Sequence, residues 1–371
     1  MTAAHMGTLA GSLRVTPGAP MPHGLISSRQ DWAATLSANR PVAAVPGLMA
    51  GLFSLCGNAH RVCAQLAIDA AGAVESNPAD IGERLRLETA QEHVRRIGLD
   101  WPRCLASPSS SEALEALGRC PLLRSAAPAM DWRAARDWLQ HTLLHMDPAA
   151  WLSAWLADAG GALRAWSQRQ EGWLPRLLNE AQPADLPEQP LSAAHALMAH
   201  SARDPLQALS TALASQPGFA LRPSWRGACA HTGPWARLQT PPDQRALTPW
   251  ALLGSRLAEL VRLCLRDGGQ WLRWGAEPIG PGVGMGWVEM ARGVLVHQVT
   301  LSEGGATVQH CRVIAPTEWN FHPRGEVAQR LSALDPSAPD VRQRVNLLMA
   351  AFDPCVSFDV VPMNAVEARH A

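Results

Sequence analysis

At Gly284 the hydrophobic pattern of this 371-residue chain changes period, and that switch constrains the fold more than any other feature. From Gly286 to Pro316 the run GWVEMARGVLVHQVTLSEGGATVQHCRVIAP contains three strand-like stretches. The last two flank Glu303-Gly304-Gly305, a hairpin-turn signal. Upstream, apolar residues recur at helical spacing. Helices are expected over Gly47 to Glu75, Ile81 to Ile97, and about 131–146, 149–169, 191–202 and 248–266. Downstream, two more follow, near 324–334 and 339–351. Residues 8–28 read as a short β-ribbon around the turn TPGAPMPHG. The pattern predicts one mainly α domain (α+β) over 1–371, with small β-ribbons at its two sequence ends and a divergent helical segment at about 105–200.

Composition narrows the function. Hydrophobic residues are 47% and charged ones 17%, as in a packed globular chain. Thirty-two basic residues balance thirty-two acidic ones, which argues against nucleic-acid partners. The sequence contains no Lys, which excludes Schiff-base and P-loop chemistry. MTAAHMGTLAGSLRV lacks the pattern of a signal peptide, and no window approaches the ~18 apolar residues of a membrane span. A cytoplasmic protein without membrane insertion is expected. Its eight scattered cysteines, with no CxxC pair, are then free thiols that either pack or bind metal.

Three places carry possible chemistry. In Cys56-Gly57-Asn58-Ala59-His60-Arg61-Val62-Cys63, a helix puts Cys56, His60 and Cys63 on one face as possible ligands. Packing of both thiols, with His60 hydrogen-bonded to a neighbour, is the other reading. Gly57 points to a bend that leaves the Cys56 sulfur exposed. In Phe352-Asp353-Pro354-Cys355, Pro354 ends a helix and pushes Asp353 into an extended conformation, so that Cys355 projects from a rigid turn. Arg292 at a strand junction and Thr317 after the last strand offer donors to an anion, or simply stabilise turns.

Taken in order, these segments resemble the large subunit of nickel–iron hydrogenases. Leu55-Cys56-Gly57-Asn58-Ala59 is similar to that family's R-x-C-G-x-C, and Asp353-Pro354-Cys355-Val356-Ser357-Phe358 to its D-P-C-x-x-C. Between them, Thr232-Gly233-Pro234-Trp235-Ala236-Arg237 resembles E-x-G-P-x-A-R. Arg292-Gly293 followed by His297 resembles P-R-G-x-x-x-H, and Pro316-Thr317-Glu318-Trp319-Asn320 resembles P-T-x-W-N. The resemblance spans residues 47 to 358, leaves 105–200 uncovered, and implies a hydrogenase-like helical core of reduced size.

The departures carry the functional expectation. Ala59 and Phe358 stand where the family has the thiolates that bridge nickel to iron, and neither side chain can donate to a metal. A chain with Cys56 and Cys355 but without the other two resembles the HupK/HoxV-type accessory proteins of hydrogenase maturation. That resemblance implies a non-catalytic scaffold carrying iron with cyanide and carbon monoxide ligands between Cys56 and Cys355, without nickel. Arg292 and Thr317 match positions that contact cyanide, Gly57, Asp353 and Pro354 support the turns, and Cys63 and His60 are possible further ligands. The implied partners are a small hydrogenase assembly chaperone, its iron-delivery partner and the hydrogenase large-subunit precursor. A metal-free interaction protein, a divergent redox enzyme and a zinc site on Cys56, His60 and Cys63 are the alternatives. The family's C-terminal cleavage follows a His six residues after the equivalent of Cys355, where this chain has Val361, so the tail is expected to stay attached.

Overall fold

The computed structural model describes residues 10–72, 80–105, 110–127, 129–169, 172–187, 196–197, 203–238 and 248–362. Its centre is a five-stranded sheet in the order β3-β7-β6-β5-β4. The strands are β3 (Arg40–Pro41), β4 (Trp274–Gly280), β5 (Val283–Met290), β6 (Gly293–Leu301) and β7 (Thr307–Ile314). All neighbours are antiparallel, with Trp287 opposite Val296 and Val299 opposite Cys311. Successive residues face opposite sides. Val288, Met290, Leu295 and Val299 join the main core, while Met285, Trp287, Val294 and Val296 join a second cluster with Leu206, Leu209 and Leu213 of the helix Arg203–Ser215. Both faces are covered, which is why β5 and β6 read as nearly continuous apolar runs.

Two helices build the near side. Helix α1 (Val45–Leu52) and helix α2 (Gly57–Ala71) are separated by a short 3₁₀ turn at Ser54–Cys56, and the chain bends by 102° there. The single helix expected over Gly47 to Glu75 is therefore two. Helix α2 lies directly on β5. A Cβ added at Gly286 would sit 2.4 Å from the Cys63 carbonyl oxygen, so only glycine permits this approach. Helix α3 (Ile81–Arg95) and helix α4 (Pro249–Cys264) pack behind it, α4 opening with a Thr248 cap on the Ala251 N–H and Pro249 in its first turn. The Trp- and Leu-rich helices between Trp132 and Ala181 complete the main core.

The short helix α5 (Pro316–Asn320) follows β7, and helix α6 (Val341–Phe352) leads into the Cys355 turn. The expected N-terminal ribbon is present as β1 (Ser12–Val15) and β2 (Leu25–Ser27). It is not a separate ribbon, however. Strand β8 (Ser357–Val360) pairs parallel to β1, with Leu13 opposite Phe358, and so joins the two ends of the chain. The Glu303-Gly304-Gly305 hairpin and the helices near 248–266, 324–334 and 339–351 lie where expected. The helix expected over 191–202 falls largely outside the described residues, and Ala196 within it forms an isolated bridge to His231. Among the described residues, no single helix is long and apolar enough to cross a membrane.

Candidate metal centre

Cys355 leaves the α6 terminus through a turn set by Asp353, whose φ of 53° and ψ of 75° are left-handed rather than extended. The proline that follows disfavours the right-handed helical region but leaves this one open, and Asp enters it more readily than most residues. Three guanidiniums hold the side chain, two of them buried and that of Arg96 partly buried: Arg96 Nε at 3.1 Å, Arg256 Nη2 at 2.9 Å and Arg292 Nε at 3.2 Å. Burial opposes the charge, but these cations hold the Asp353 carboxyl below the usual range. Asp353 is a structural anchor.

Arg292 sits in the two-residue link of the β5–β6 hairpin, between paired Met290 and Gly293. Its Nη2 meets Glu92 Oε1 at 2.5 Å, and its Nε also donates to the Asp353 carbonyl at 3.2 Å. Its Nη1 is buried with no hydrogen-bond partner among the described residues. The charges of Asp353, Glu92, Cys56 and Cys355 keep this buried guanidinium protonated against the cost of desolvation.

The lattice continues inward. Arg256 Nη1 donates to His93 Nδ1 at 3.0 Å, and His93 Nε2 donates to Glu259 at 2.8 Å. Glu259 receives Arg237 through two 2.7 Å bonds. The Thr232 segment is locked to α5 in the same manner: Thr232 N donates to Asn320 Oδ1 at 2.9 Å, and Asn320 Nδ2 returns a bond to Thr232 O at 2.8 Å. Segments that are distant in sequence thus form one polar frame.

The two cysteines differ. The Cys355 sulfur is half-buried and accepts from Thr317 Oγ1 and from Arg29 Nη1, each at 3.1 Å. Arg29 is itself fixed by buried Glu318 at 2.5 Å. Neither Arg29 nor Glu318 was apparent from the sequence, since Arg29 is a lone basic residue after β2. Cys56 is 8% exposed, and burial pushes its thiol pKa up, with Arg292 opposing and the charge on Cys355 adding to the rise. The exposed sulfur inferred from Gly57 is therefore corrected. Gly57 is helical (φ −63°), and a Cβ there would meet Ala50 O at 2.8 Å, so glycine serves the close crossing of α1 and α2. The Glu88 carboxylate caps α2 by accepting from Asn58 N and Ala59 N, both at 2.8 Å.

Cys63 and His60 have other partners. The Cys63 thiol donates to Gly286 O at 3.3 Å, inside the α2–β5 contact. His60 shares a 3.0 Å bond with His297 and stacks on Phe53 with centroids 3.8 Å apart. Burial lowers the pKa of both imidazoles. Among the described residues, no group of three or more His, Cys, Asp or Glu side chains could hold a metal ion, so the Cys56–His60–Cys63 zinc site is not formed. Of the remaining cysteines, Cys120, Cys264 and Cys311 are buried in the core, Cys104 donates to Asn346 O at 3.3 Å, and Cys229 lies 3.0 Å from His322 Nδ1.

No family model matches the chain. Over 371 residues it is 39% identical to the hydrogenase expression/formation protein HoxV of Cupriavidus necator, covering 95% of each chain. Over 348 residues it is 30% identical to the hydrogenase expression/formation protein HupK of Bradyrhizobium diazoefficiens, covering 91% of this chain and 90% of that one. In structure it is similar to the reduced Ni-Fe-Se hydrogenase of D. vulgaris Hildenborough, with a TM-score of 0.50 at 13% identity, covering 89% of this chain and 92% of that one. At that identity the likeness speaks for the fold alone, and the fold is the hydrogenase-like helical one expected from the sequence.

Proposed function

The chain belongs to the HoxV and HupK family of hydrogenase expression/formation proteins, and from that premise we propose that it is a non-catalytic scaffold of hydrogenase maturation. Its cargo is an iron unit already carrying cyanide and carbon monoxide, held between Cys56 and Cys355. The carrying observation is Arg292: among the described residues its buried Nη1 has no acceptor. A cyanide nitrogen supplies the missing acceptor, and Thr317, already bonded to the Cys355 sulfur, can supply a second donor.

The small donor set agrees with this reading. A bare zinc ion asks for three or four protein ligands. An iron that brings its own diatomic ligands asks for fewer, and soft thiolates suit it. Two sulfurs also release cargo more readily than four. Nickel is not part of the reading, because Ala59 and Phe358 offer it nothing. The partners are then a small assembly chaperone with its iron-delivery partner on one side, and the hydrogenase large-subunit precursor on the other. The setting is the cytoplasm, where eight free thiols persist.

The test is anaerobic purification from cells that make a hydrogenase, followed by metal analysis and infrared spectroscopy. Cyanide and carbonyl bands with iron and without nickel are expected, and Cys56→Ser or Cys355→Ser should remove them from a folded protein. The second reading, a metal-free interaction protein binding the assembly chaperone, draws on the ion pairs around Asp353, which tie the site's segments to one another directly. Chaperone binding with no iron and no bands would establish that reading instead. Hydrogen-dependent dye reduction would favour a redox enzyme.

A further inference from the structure

The N-terminal ribbon leaves one edge of its sheet open beside a groove, and from that edge we infer a docking site: the outer side of β2 takes up an extended acidic segment of a partner protein as an added strand. This site stands whether or not the protein carries iron.

The small sheet runs in the order β2-β1-β8, so β2 has a neighbour on one side only. Thr16 N donates to Gly24 O at 2.9 Å and Ser28 N to Ser12 O at 3.0 Å, in a register that sets Arg14 opposite Ile26. Hydrogen-bonded and non-bonded pairs alternate along an antiparallel ladder. Ile26 therefore turns its N–H and C=O toward β1, while Leu25 and Ser27 turn theirs away from it. Among the described residues, no hydrogen bond reaches those four outward main-chain groups. An edge of this kind is a template for a further strand.

A groove of about 250 Å³ runs along the same edge. It touches Leu25, Ile26 and Ser27 in succession, whereas a cavity over one face of a strand would meet alternate residues. Its other lining includes Leu221, Arg222, Phe321 and Pro323. The groove thus joins free main-chain donors and acceptors to an apolar surface.

Charge selects the occupant. The lining carries a single carboxylate, Glu318, and Arg29 neutralises it at 2.5 Å. Arg222 is exposed and has no ion-pair partner among the described residues, and the exposed His23 stands in the same lining. Arg324, one residue beyond Pro323, is also exposed and without an ion pair among them. Burial lowers the His322 pKa and the charges of Arg222 and Arg324 lower it further, so both cations gather around that imidazole. A second copy of this chain would bring the same cations against one another, whereas an acidic segment matches them. Successive side chains of an added strand point to opposite sides. A segment that alternates acidic with apolar residues can therefore meet Arg222 with one set and cover Leu221 and Ile26, which is 40% exposed, with the other.

The experiment uses the full-length protein and the heptapeptide TEVEVET, blocked at both ends and labelled with a zwitterionic rhodamine, with binding read by fluorescence anisotropy. TEVEVET should bind about tenfold more tightly than the charge-reversed TKVKVKT, and the preference should shrink as salt is raised. Two N-methylated forms of TEVEVET, blocked at alternate amides in opposite phase, should differ by about fivefold, because only one phase faces β2. Ser27→Pro removes an outward N–H and leaves the β1 ladder intact, a substitution that an edge strand tolerates. It should weaken TEVEVET by about fivefold with an unchanged circular dichroism spectrum. Should that variant fail to fold, the methylated peptides carry the test on the unaltered protein. Arg222→Glu should weaken TEVEVET and strengthen TKVKVKT. No binding of TEVEVET at about 1 mM, equal binding of the two charge forms, or equal binding of the two methylated phases would overturn the proposal. So would a dimer in sedimentation velocity that Ser27→Pro converts to monomer, since the edge would then belong to a second copy.

Discussion

Asp353→Asn isolates the charge at the centre of the site. Asparagine is nearly isosteric and enters the left-handed region easily, so the φ of 53° survives and only the negative charge is lost. In the wild type that charge is shared among Arg96, Arg256 and Arg292, at 3.1, 2.9 and 3.2 Å, with the carboxylate 6% exposed. Removing one partner from a buried ionic cluster costs about 3–5 kcal/mol, because the remaining charges stay desolvated and uncompensated. Glu92 still faces Arg292 and Arg96, which places the expectation near the lower figure. Unfolding entropy of about 2.1 cal/mol/K per residue gives roughly 0.8 kcal/mol/K for 371 residues, so the melting temperature should fall by about 4 °C. Asp353→Ala should lose about 1 kcal/mol more, from the strain of a left-handed alanine. The wild-type carboxyl is depressed below its ordinary 3.8, so its stabilisation is present above that pH and lost as pH falls through the folded-state value. Asp353→Asn should flatten that acid limb. Differential scanning calorimetry between pH 3 and 8 measures both effects, and a shift below about 1 °C at pH 7 would refute the anchoring role.

Glu88 should act with the opposite sign: burial, aided by Glu92, raises its folded pKa to about 7, so its contribution is full below about 4.5 and is lost as pH rises through 7. The stability difference between wild type and Glu88→Gln should therefore decline by roughly 3 kcal/mol across that window, and a difference independent of pH in urea titrations would contradict the assignment. Gly57→Ala should cost about 1–3 kcal/mol by pressing a methyl on Ala50 O, and its thermal midpoint should fall accordingly; wild-type stability would show that the α1–α2 crossing is loose. The chain should keep its C-terminal tail, since Val361 N bonds Val15 O at 2.9 Å and no His marks a cut, and an intact mass ending near residue 361 would disprove it.

Local chemistry and short-range periodicity were legible; long-range partnership was not. The β6–β7 hairpin could be read because Glu303-Gly304-Gly305 sits between two alternating runs. Helix α4 could be read from its Thr-Pro start and apolar spacing. Strand β4 was missed because WGAEPIG carries two glycines and a proline, which read as loop until β5 is there to pair with it. Glu88 and Glu92 precede Arg95 and Arg96 along one helix and carry no local sign of their partners. In the fold one caps α2 from thirty residues away and the other meets Arg292 across two hundred. Arg29 had no local signal at all, since its meaning comes from a sulfur 326 residues later. The Asp353 conformation was misjudged for a related reason: the following proline excludes one region, and three distant arginines choose between the others.

The positions that lack thiolates show how a hydrogenase-like frame is held together without them. Ala59 is fully buried and its amide belongs to the Glu88 cap, so the start of α2 is organised around a carboxylate. Phe358 lies in β8 opposite Leu13, where an apolar side chain ties the C-terminal strand to the N-terminal ribbon. Both residues replace what the hydrogenase resemblance would make metal ligands with bonds that hold the protein to itself. The site is then complete as a fold before any cargo arrives, its cations matched by Asp353, Glu92 and Glu318. Under the scaffold reading, loading need not fold the protein and release need not unfold it. Exchange at iron would move two sulfurs and the hydrogen bonds of Arg29, Thr317 and Arg292, while the lattice behind them stays fixed.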